Sequence, residues 1–332
     1  MMNEEKTVAA GEASPDGTKF AAFIKKMSKH GLWWVFLGLL VAASLLSPYF
    51  LTYRNISNVI RQISIMGVMA VGMTFVILVG GIDLGVGGVM ALSCVLVAVI
   101  IPLVNGSIFL TIAVCLLAGI VFGALAGWIT AYGGLQPFIT TLGMATVTEG
   151  LGFMLTNGNP IILSDMRWSK FGNGYTWVFP NLAIIFLGVV IVGQILLSKT
   201  VFGTYLYSIG GNEEATRLSG IKTKRYKLAA FTISGFLAAL GGIMMTARIS
   251  VGDPGVGSKY ALDVIACVVV GGSRMGGGYG SVINTLLGAG IMGVLSNIFN
   301  LLNISPYPQM IFKGAIIIAA VLLEELRKRK EK

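Results

Sequence analysis

Ionisable side chains are scarce in this sequence, and chemistry has to be sought where they interrupt apolar stretches. Only 11% of the 332 residues are charged, against 55% hydrophobic. Asp83 stands in Gly80-Gly81-Ile82-Asp83-Leu84-Gly85, Glu149 near the middle of an apolar run, Asp263 in Tyr260-Ala261-Leu262-Asp263, and Lys313 within the last apolar run. An ionised carboxylate in lipid costs on the order of 2–4 kcal/mol unless it faces protein or water. Such residues mark a translocation path, a subunit interface or a satisfied hydrogen bond inside a bundle, and at Glu149 these readings stand about equal. Asp83 belongs either to a translocation path or to the cap of the helix that starts just after it, and its position favours the cap. The parts of an enzyme are missing: there is no Gly-Lys pair for a phosphate loop and no His-Glu-x-x-His helix, and His30, beside Lys29, is the sole histidine. Cys94, Cys115 and Cys267 sit in apolar segments without metal-ligand spacing and read as packing residues. Gly276 to Gly280 is glycine-rich but adjoins an apolar run, without the strand and helix of a nucleotide site. No catalytic residue, metal or cofactor is expected, so any ATP that drives this protein is bound by another polypeptide.

The elements that hold these residues are membrane helices. A mean hydropathy of +0.84 and 45 glycines describe a tightly packed polytopic bundle, since soluble domains carry about 25% charged residues and small residues let helices approach closely in lipid. The net charge of +10 gathers in the N-terminal tail, a central loop and Arg327 to Lys332. That distribution reads as positive-inside bias and contact with anionic membrane lipid, not as a nucleic-acid surface. Hydropathy predicts ten spans, over about 31–51, 60–79, 84–104, 108–132, 138–156, 181–198, 226–247, 259–272, 281–302 and 307–324, with both termini cytoplasmic. On this reading Arg54 and Arg61 lie outside, Trp33 and Trp34 at the inner interface, and Trp168 and Trp177 near the outer one. The organisation is a cytoplasmic tail over 1–30, a transmembrane domain over 31–326 and a basic cytoplasmic tail over 327–332. Residues 1–19 are expected to be disordered, without a cleaved signal peptide, and Phe20 to Lys29 to form a helix on the membrane surface. The span at 259–272 is short enough to dip into the membrane without crossing it.

Two internal patterns add detail. Val79-Gly80-Gly81, Gly85 and Gly87 recur 191 residues later as Val270-Gly271-Gly272, Gly276 and Gly278, which suggests two related halves. The halves share an orientation if all ten spans cross and are inverted if the eighth does not. Glycines at the junction of two spans predict a broken helix, in which Gly80, Gly81 and Asp83 line or gate a path. The region 199–227 is too charged for lipid and is predicted to be an aqueous loop. Within it Gly210 and Gly211 break what precedes, Asn212 caps a short helix, Glu213 and Glu214 occupy its first turn, and Gly220 ends it. Ala215, Leu218 and Ser219 would offer a small, partly apolar face to a groove in a soluble partner.

Gly-Gly-Asn-Glu-Glu-Ala-Thr-Arg-Leu-Ser-Gly-Ile, Gly210 to Ile221, resembles the cytoplasmic coupling loop of monosaccharide-importing ATP-binding-cassette (ABC) permeases, those for ribose above all. Gly-Ile-Asp-Leu at Asp83, Thr140-Thr141-Leu142-Gly143, Thr156-Asn157-Gly158 and Gln309-Met310-Ile311 resemble the same family. Asp263 matches its Tyr-Glu-Leu-Asp, with Ala261 in place of the first acid, which weakens any role for paired carboxylates there. The resemblance implies an all-α fold of about ten transmembrane helices in two related halves with broken helices, similar to type II ABC importers. It further implies a non-catalytic permease subunit in the bacterial inner membrane that translocates ribose or a similar sugar. Its partners would be a cytoplasmic ABC ATPase with two fused cassettes, a periplasmic or lipid-tethered sugar-binding protein and a second permease copy. Another polar solute, such as galactose or a sugar-like signal molecule, is the nearest alternative. An ion-coupled secondary transporter using Glu149, Asp83 or Lys313 is the rival of another class, and it leaves the capped loop unexplained.

Overall fold

The computed structural model describes residues 31–331, so the tail before them, including the surface helix expected over Phe20 to Lys29, lies outside the described residues. These residues form thirteen helices: α1 Gly31–Leu46, α2 Tyr53–Leu78, α3 Gly85–Leu103, α4 Ile108–Ala131, α5 Pro137–Thr156, α6 Met166–Asn173, α7 Asn181–Lys199, α8 Val201–Gly211, α9 Glu213–Leu218, α10 Thr223–Ile249, α11 Tyr260–Val270, α12 Val282–Leu301 and α13 Pro306–Glu331. Two-residue antiparallel bridges join Ile161–Ile162 to Val251–Gly252 and Tyr175–Thr176 to Phe179–Pro180. Seven helices, α2 to α5, α7, α10 and α12, are long and apolar enough to cross a membrane, making this an all-α multi-pass membrane protein.

Helix ends account for the differences from the predicted spans. α1 stops at Leu46 rather than 51 because the chain turns at Ser47-Pro48, where a residue before proline is pushed out of the helical region. α2 starts at Tyr53, earlier than the predicted 60, because the Thr52 hydroxyl accepts the Asn55 N–H. Arg54 is therefore helical, as Arg61 is within the predicted span. Trp168 is fully buried and meets Phe171 edge-on, whereas Trp177 is 96% exposed.

The core is built from the most apolar stretches of four helices. In their most apolar stretches α2, α3, α10 and α12 are 67–83% buried, against 22–33% for α4, α5 and α7. The latter turn faces such as Phe109, Leu117, Val121 and Trp128 of α4 outward, as lipid contact requires. Close approach explains part of the glycine content. Gly119, Gly123 and Gly127 of α4 lie against Phe231 and Gly235 of α10, and a Cβ on Gly123 would sit 2.6 Å from the Phe231 carbonyl oxygen. Hydroxyls staple the centre: Ser93 donates to the Ala239 carbonyl at 2.9 Å, Thr246 to the Cys94 carbonyl at 3.1 Å, and Thr74 meets Thr285 at 2.8 Å. Cys94, Cys115 and Cys267 are buried and free of disulfides.

Packing partners fix the direction of each segment. Along α10, Phe231 meets Gly81, Ser234 meets Gly72 and Asp83, and Gly242 meets Met90 and Ser93, so α2 runs antiparallel to α10 and α3 parallel to it. Gly80 to Leu84 is thus a turn between two antiparallel helices, not an interruption within one span. The true discontinuity follows α10. Gly252 packs on Cys94 and Ala98, Gly257 on Gly87 and Ala91, and the chain then forms α11 and reaches Gly271, close to the turn that holds Gly277 against Gly80. α11 has 11 residues, about 16 Å of helix against a hydrocarbon core of about 30 Å. The stretch over 250–259 runs along α3 before it. The span predicted over 259–272 is thus a short helix preceded by a non-helical stretch, and the two glycine turns lie at the same end of the bundle.

Candidate functional site: a capped helix seated on two glycine turns

α9 is built as its residues dictate. Asn212 is extended (φ −159°, ψ 101°), and its Oδ1 accepts the Ala215 N–H at 2.9 Å, satisfying one of the donors that a helix start leaves free. Glu213 and Glu214 fill the first turn, where the helix dipole favours negative charge. Arg217 donates to both Glu214 oxygens, at 2.6 and 3.1 Å, and holds that carboxyl below the usual range. Lys227 at the start of α10 pairs with Glu213. Gly220, with φ +85°, supplies the left-handed turn that ends the element. Thr216 is buried beneath the helix, its hydroxyl donating to the Asn212 carbonyl at 2.7 Å. Ala215, Leu218 and Ser219 stay exposed, Leu218 to 76%.

The helix does not stand in an irregular loop. Most of 199–227 is helical, and Gly210 and Gly211 continue α8 up to the Asn212 cap instead of breaking it. Their role is contact. A Cβ on Gly210 would run into the Leu78 carbonyl oxygen and the Gly278 nitrogen, while Gly277 packs on Gly210 and Gly80. The Gly278 N–H donates to the Leu78 carbonyl at 2.9 Å and the Tyr207 hydroxyl to the Gly280 carbonyl at 2.8 Å. The end of α8, from which α9 hangs, is therefore wedged onto both glycine turns.

Those turns have the same construction. Gly80 (φ +77°) and Gly272 (φ +82°) are left-handed, and their N–H groups donate three residues back, to Ile77 and Val269. The next N–H groups, of Gly81 and Ser273, donate five residues back, to Val76 and Val268. This pair of bonds is a Schellman ending. It aligns Gly80 with Gly272, one residue away from the alignment read in the sequence.

Asp83 is buried with both oxygens used: Oδ1 accepts the Gly85 N–H at 2.9 Å and Oδ2 the Ser234 hydroxyl at 2.7 Å. It therefore starts α3 and ties it to α10. Thr141 on α5 accepts the Leu84 N–H at 3.1 Å and donates to the Ile82 carbonyl at 3.2 Å. Gly81 is buried against Phe231 and Val76 and does not face lipid. Glu149, half-buried on α5, makes no hydrogen bond with any described residue. Asp263, in the first turn of α11, pairs with Lys313 of α13 at 2.6 Å. The structure thus links α9 to the turn at Gly80 only through Gly210 of α8, with Gly81 and Asp83 in the same turn. Tyr207 and Ser234 carried no sequence signal as contacts, being common residues in helical runs. Thr141 had one, in the Thr140 to Gly143 motif.

Known proteins share this pattern over most of the chain. The family described as branched-chain amino acid transport system / permease component matches residues 55–321. The ribose import permease protein of Haemophilus influenzae is 44% identical over 290 residues, covering 86% of this chain and 90% of its own. That of Bacillus subtilis is 42% identical over 295 residues, with 87% and 91% covered. The xylose transport system permease protein of Escherichia coli is 32% identical, with 85% and 87% covered. Among solved structures, an inward-facing metal-chelate type ABC transporter shares the fold with a TM-score of 0.53 at 16% identity, over 88% of this chain and 98% of that one.

Proposed function

The chain belongs to the branched-chain amino acid transport system / permease component family, and from that premise we propose that it is the membrane-spanning subunit of an ABC importer for ribose or a closely similar monosaccharide. The permease is non-catalytic: a separate ATPase hydrolyses ATP, and a substrate-binding protein delivers the sugar. The observation that carries the mechanism is the capped helix α9, exposed at Ala215 and Leu218 and seated through Gly210 on the turns that begin α3 and α12. A push on α9 by the ATPase reaches the spans through backbone contact, without flexible side chains to absorb it. Asn212 to Ser219 form the ATPase contact and Gly220 the stop that keeps it short. Gly80, Gly81 and Asp83 sit where that motion enters the bundle, while Glu149 on α5 and Asp263 on α11 belong to the path or to the interface with a second permease copy.

Several finer assignments accompany this reading. The permease domain is 31–326, with coupling region 199–227, in the bacterial inner membrane. The α9 end and both termini are cytoplasmic, which the clustering of Lys and Arg supports. The ATPase carries two fused cassettes. The test is uptake by proteoliposomes containing permease, ATPase and binding protein. Labelled ribose should accumulate with ATP hydrolysis and continue after the proton gradient is collapsed at fixed ATP. Uptake that follows a pH gradient without any ATPase would replace this function with ion-coupled transport.

A further inference from the structure

The Asp263–Lys313 pair borders a cavity of about 450 Å³ between α11 and α13, whose wall includes Ser258, Gln309, Met310 and Ile317. That volume falls within the about 300–1,000 Å³ of small-molecule sites. Its position follows from the fold. α11 begins where Ala261 and Gly257 pack on Gly87 and Ala91, Lys313 lies two turns into α13, and the exposed Leu262 and Met310 leave the cavity open on the surface of the single chain. The cavity therefore opens beside the point where the non-helical stretch over 250–259 gives way to helix. Discontinuous spans place transported ligands at such points.

The pair itself is poorly explained as a strut. Two apolar residues of similar size fill an interior site as stably as a buried ion pair does, and charges within membrane segments mark transport paths. Both side chains are about four-fifths covered, at 18% and 22% exposure, so their hydrogen bonds are little weakened by water. Neither is saturated. Asp263 uses Oδ2 for Lys313 and Lys313 one of its three donors, and no other bond to a described residue engages Asp263 Oδ1 or the remaining ammonium hydrogens. The pair therefore presents one charge-assisted acceptor and two charge-assisted donors. A sugar can use both kinds, since each hydroxyl donates and accepts, while Met310 and Ile317 meet its C–H face. Lys259, also in the wall, adds a further ammonium donor for hydroxyl oxygens.

We propose that Asp263 and Lys313 form a hydroxyl-binding station at which a monosaccharide is held part-way through the membrane. This rests on the importer reading above and assigns the site where the sugar pauses. The test measures sugar delivered per ATP hydrolysed in the complete reconstituted importer, with permease–ATPase co-purification as the control for folding. Asp263→Asn weakens the acceptor, Asp263→Leu with Lys313→Met removes both charges while keeping bulk, and Gly314→Leu fills the cavity from a position with no neighbour within 4 Å. Each should lower sugar per ATP about tenfold or more, the loss expected for a hydrogen bond to a charged group. A wild-type ratio in the apolar double variant shows the pair to be a strut and overturns the station. Should that variant fail to assemble, a wild-type ratio in Gly314→Leu does so. ATP-driven uptake of leucine, lost in Asp263→Asn, reassigns the cavity to a zwitterion and overturns it too. If the unaltered importer moves no monosaccharide, it is the proposed function that fails.

Discussion

Each residue of α9 does one local task, and these can be removed separately. Replacing Asn212 with Ala deletes the acceptor of the Ala215 N–H and costs about 0.5–2 kcal/mol of local helix stability. The variant should still bind the ATPase, with a lowered ATPase stimulation by sugar-loaded binding protein. Ala215→Asp leaves the cap intact but puts a charge on the exposed face, and should abolish co-purification of the ATPase. Leu218→Asp acts on the same face. If both retain normal complex and coupling, α9 is only a solvated connector. The Glu213–Lys227 tie, with Glu213 half exposed, is screened by salt and should matter little at physiological ionic strength.

At the scale of elements, α8 works as a strut because its last two residues, Gly210 and Gly211, carry no side chains. Gly210→Ala must push α8 off the Leu78 carbonyl or shift the turn at Gly278, and overpacking of this kind costs about 1–3 kcal/mol. Its neighbour provides the control, since a Cβ on Gly211 meets nothing within 4 Å. Thermal unfolding in detergent and ATP-driven uptake should both fall for Gly210→Ala and stay at wild-type values for Gly211→Ala. Equal behaviour of the two would mean that α8 is loosely seated and transmits nothing to the turns. Gly81 is less clean as a probe, because Phe231 and Val76 lie 3.1 Å from any added Cβ and a bulky side chain there disturbs packing first.

The whole molecule has two ends, and the proposed orientation separates them in a measurable way. α10 carries the chain about 40 Å from α9 to the end that holds α6 and the exposed Trp177. The three native cysteines are buried, so they contribute little background to thiol labelling. In intact cells Trp177→Cys should react with a membrane-impermeant maleimide, and Ser219→Cys only after the membrane is opened. Labelling of both in intact cells would place α9 outside and remove its role as an ATPase contact.

Local chemistry was legible in the residues themselves. Asn212 followed by two glutamates can only start a helix favourably, Gly220 can end one without strain, and long apolar runs have to be buried in lipid or protein whichever neighbours they find. Asp83 could be read as a cap because capping reaches only two residues along the chain. What such reading could not reach were relations across space. Gly210 and Gly211 looked like breakers because isolated glycines disfavour helix, yet here a close backbone contact with Leu78 and Gly278 requires them and outweighs the propensity. The repeat was misaligned by one residue because glycine identity does not report which glycine is left-handed. Hydropathy could not show that 250–259 packs along α3, since it measures how apolar a segment is and not what it packs on. Asp263 and Lys313, fifty residues apart, became a pair only when α11 and α13 were packed together, for Coulomb and hydrogen-bond energies depend on distance in space and are silent in sequence.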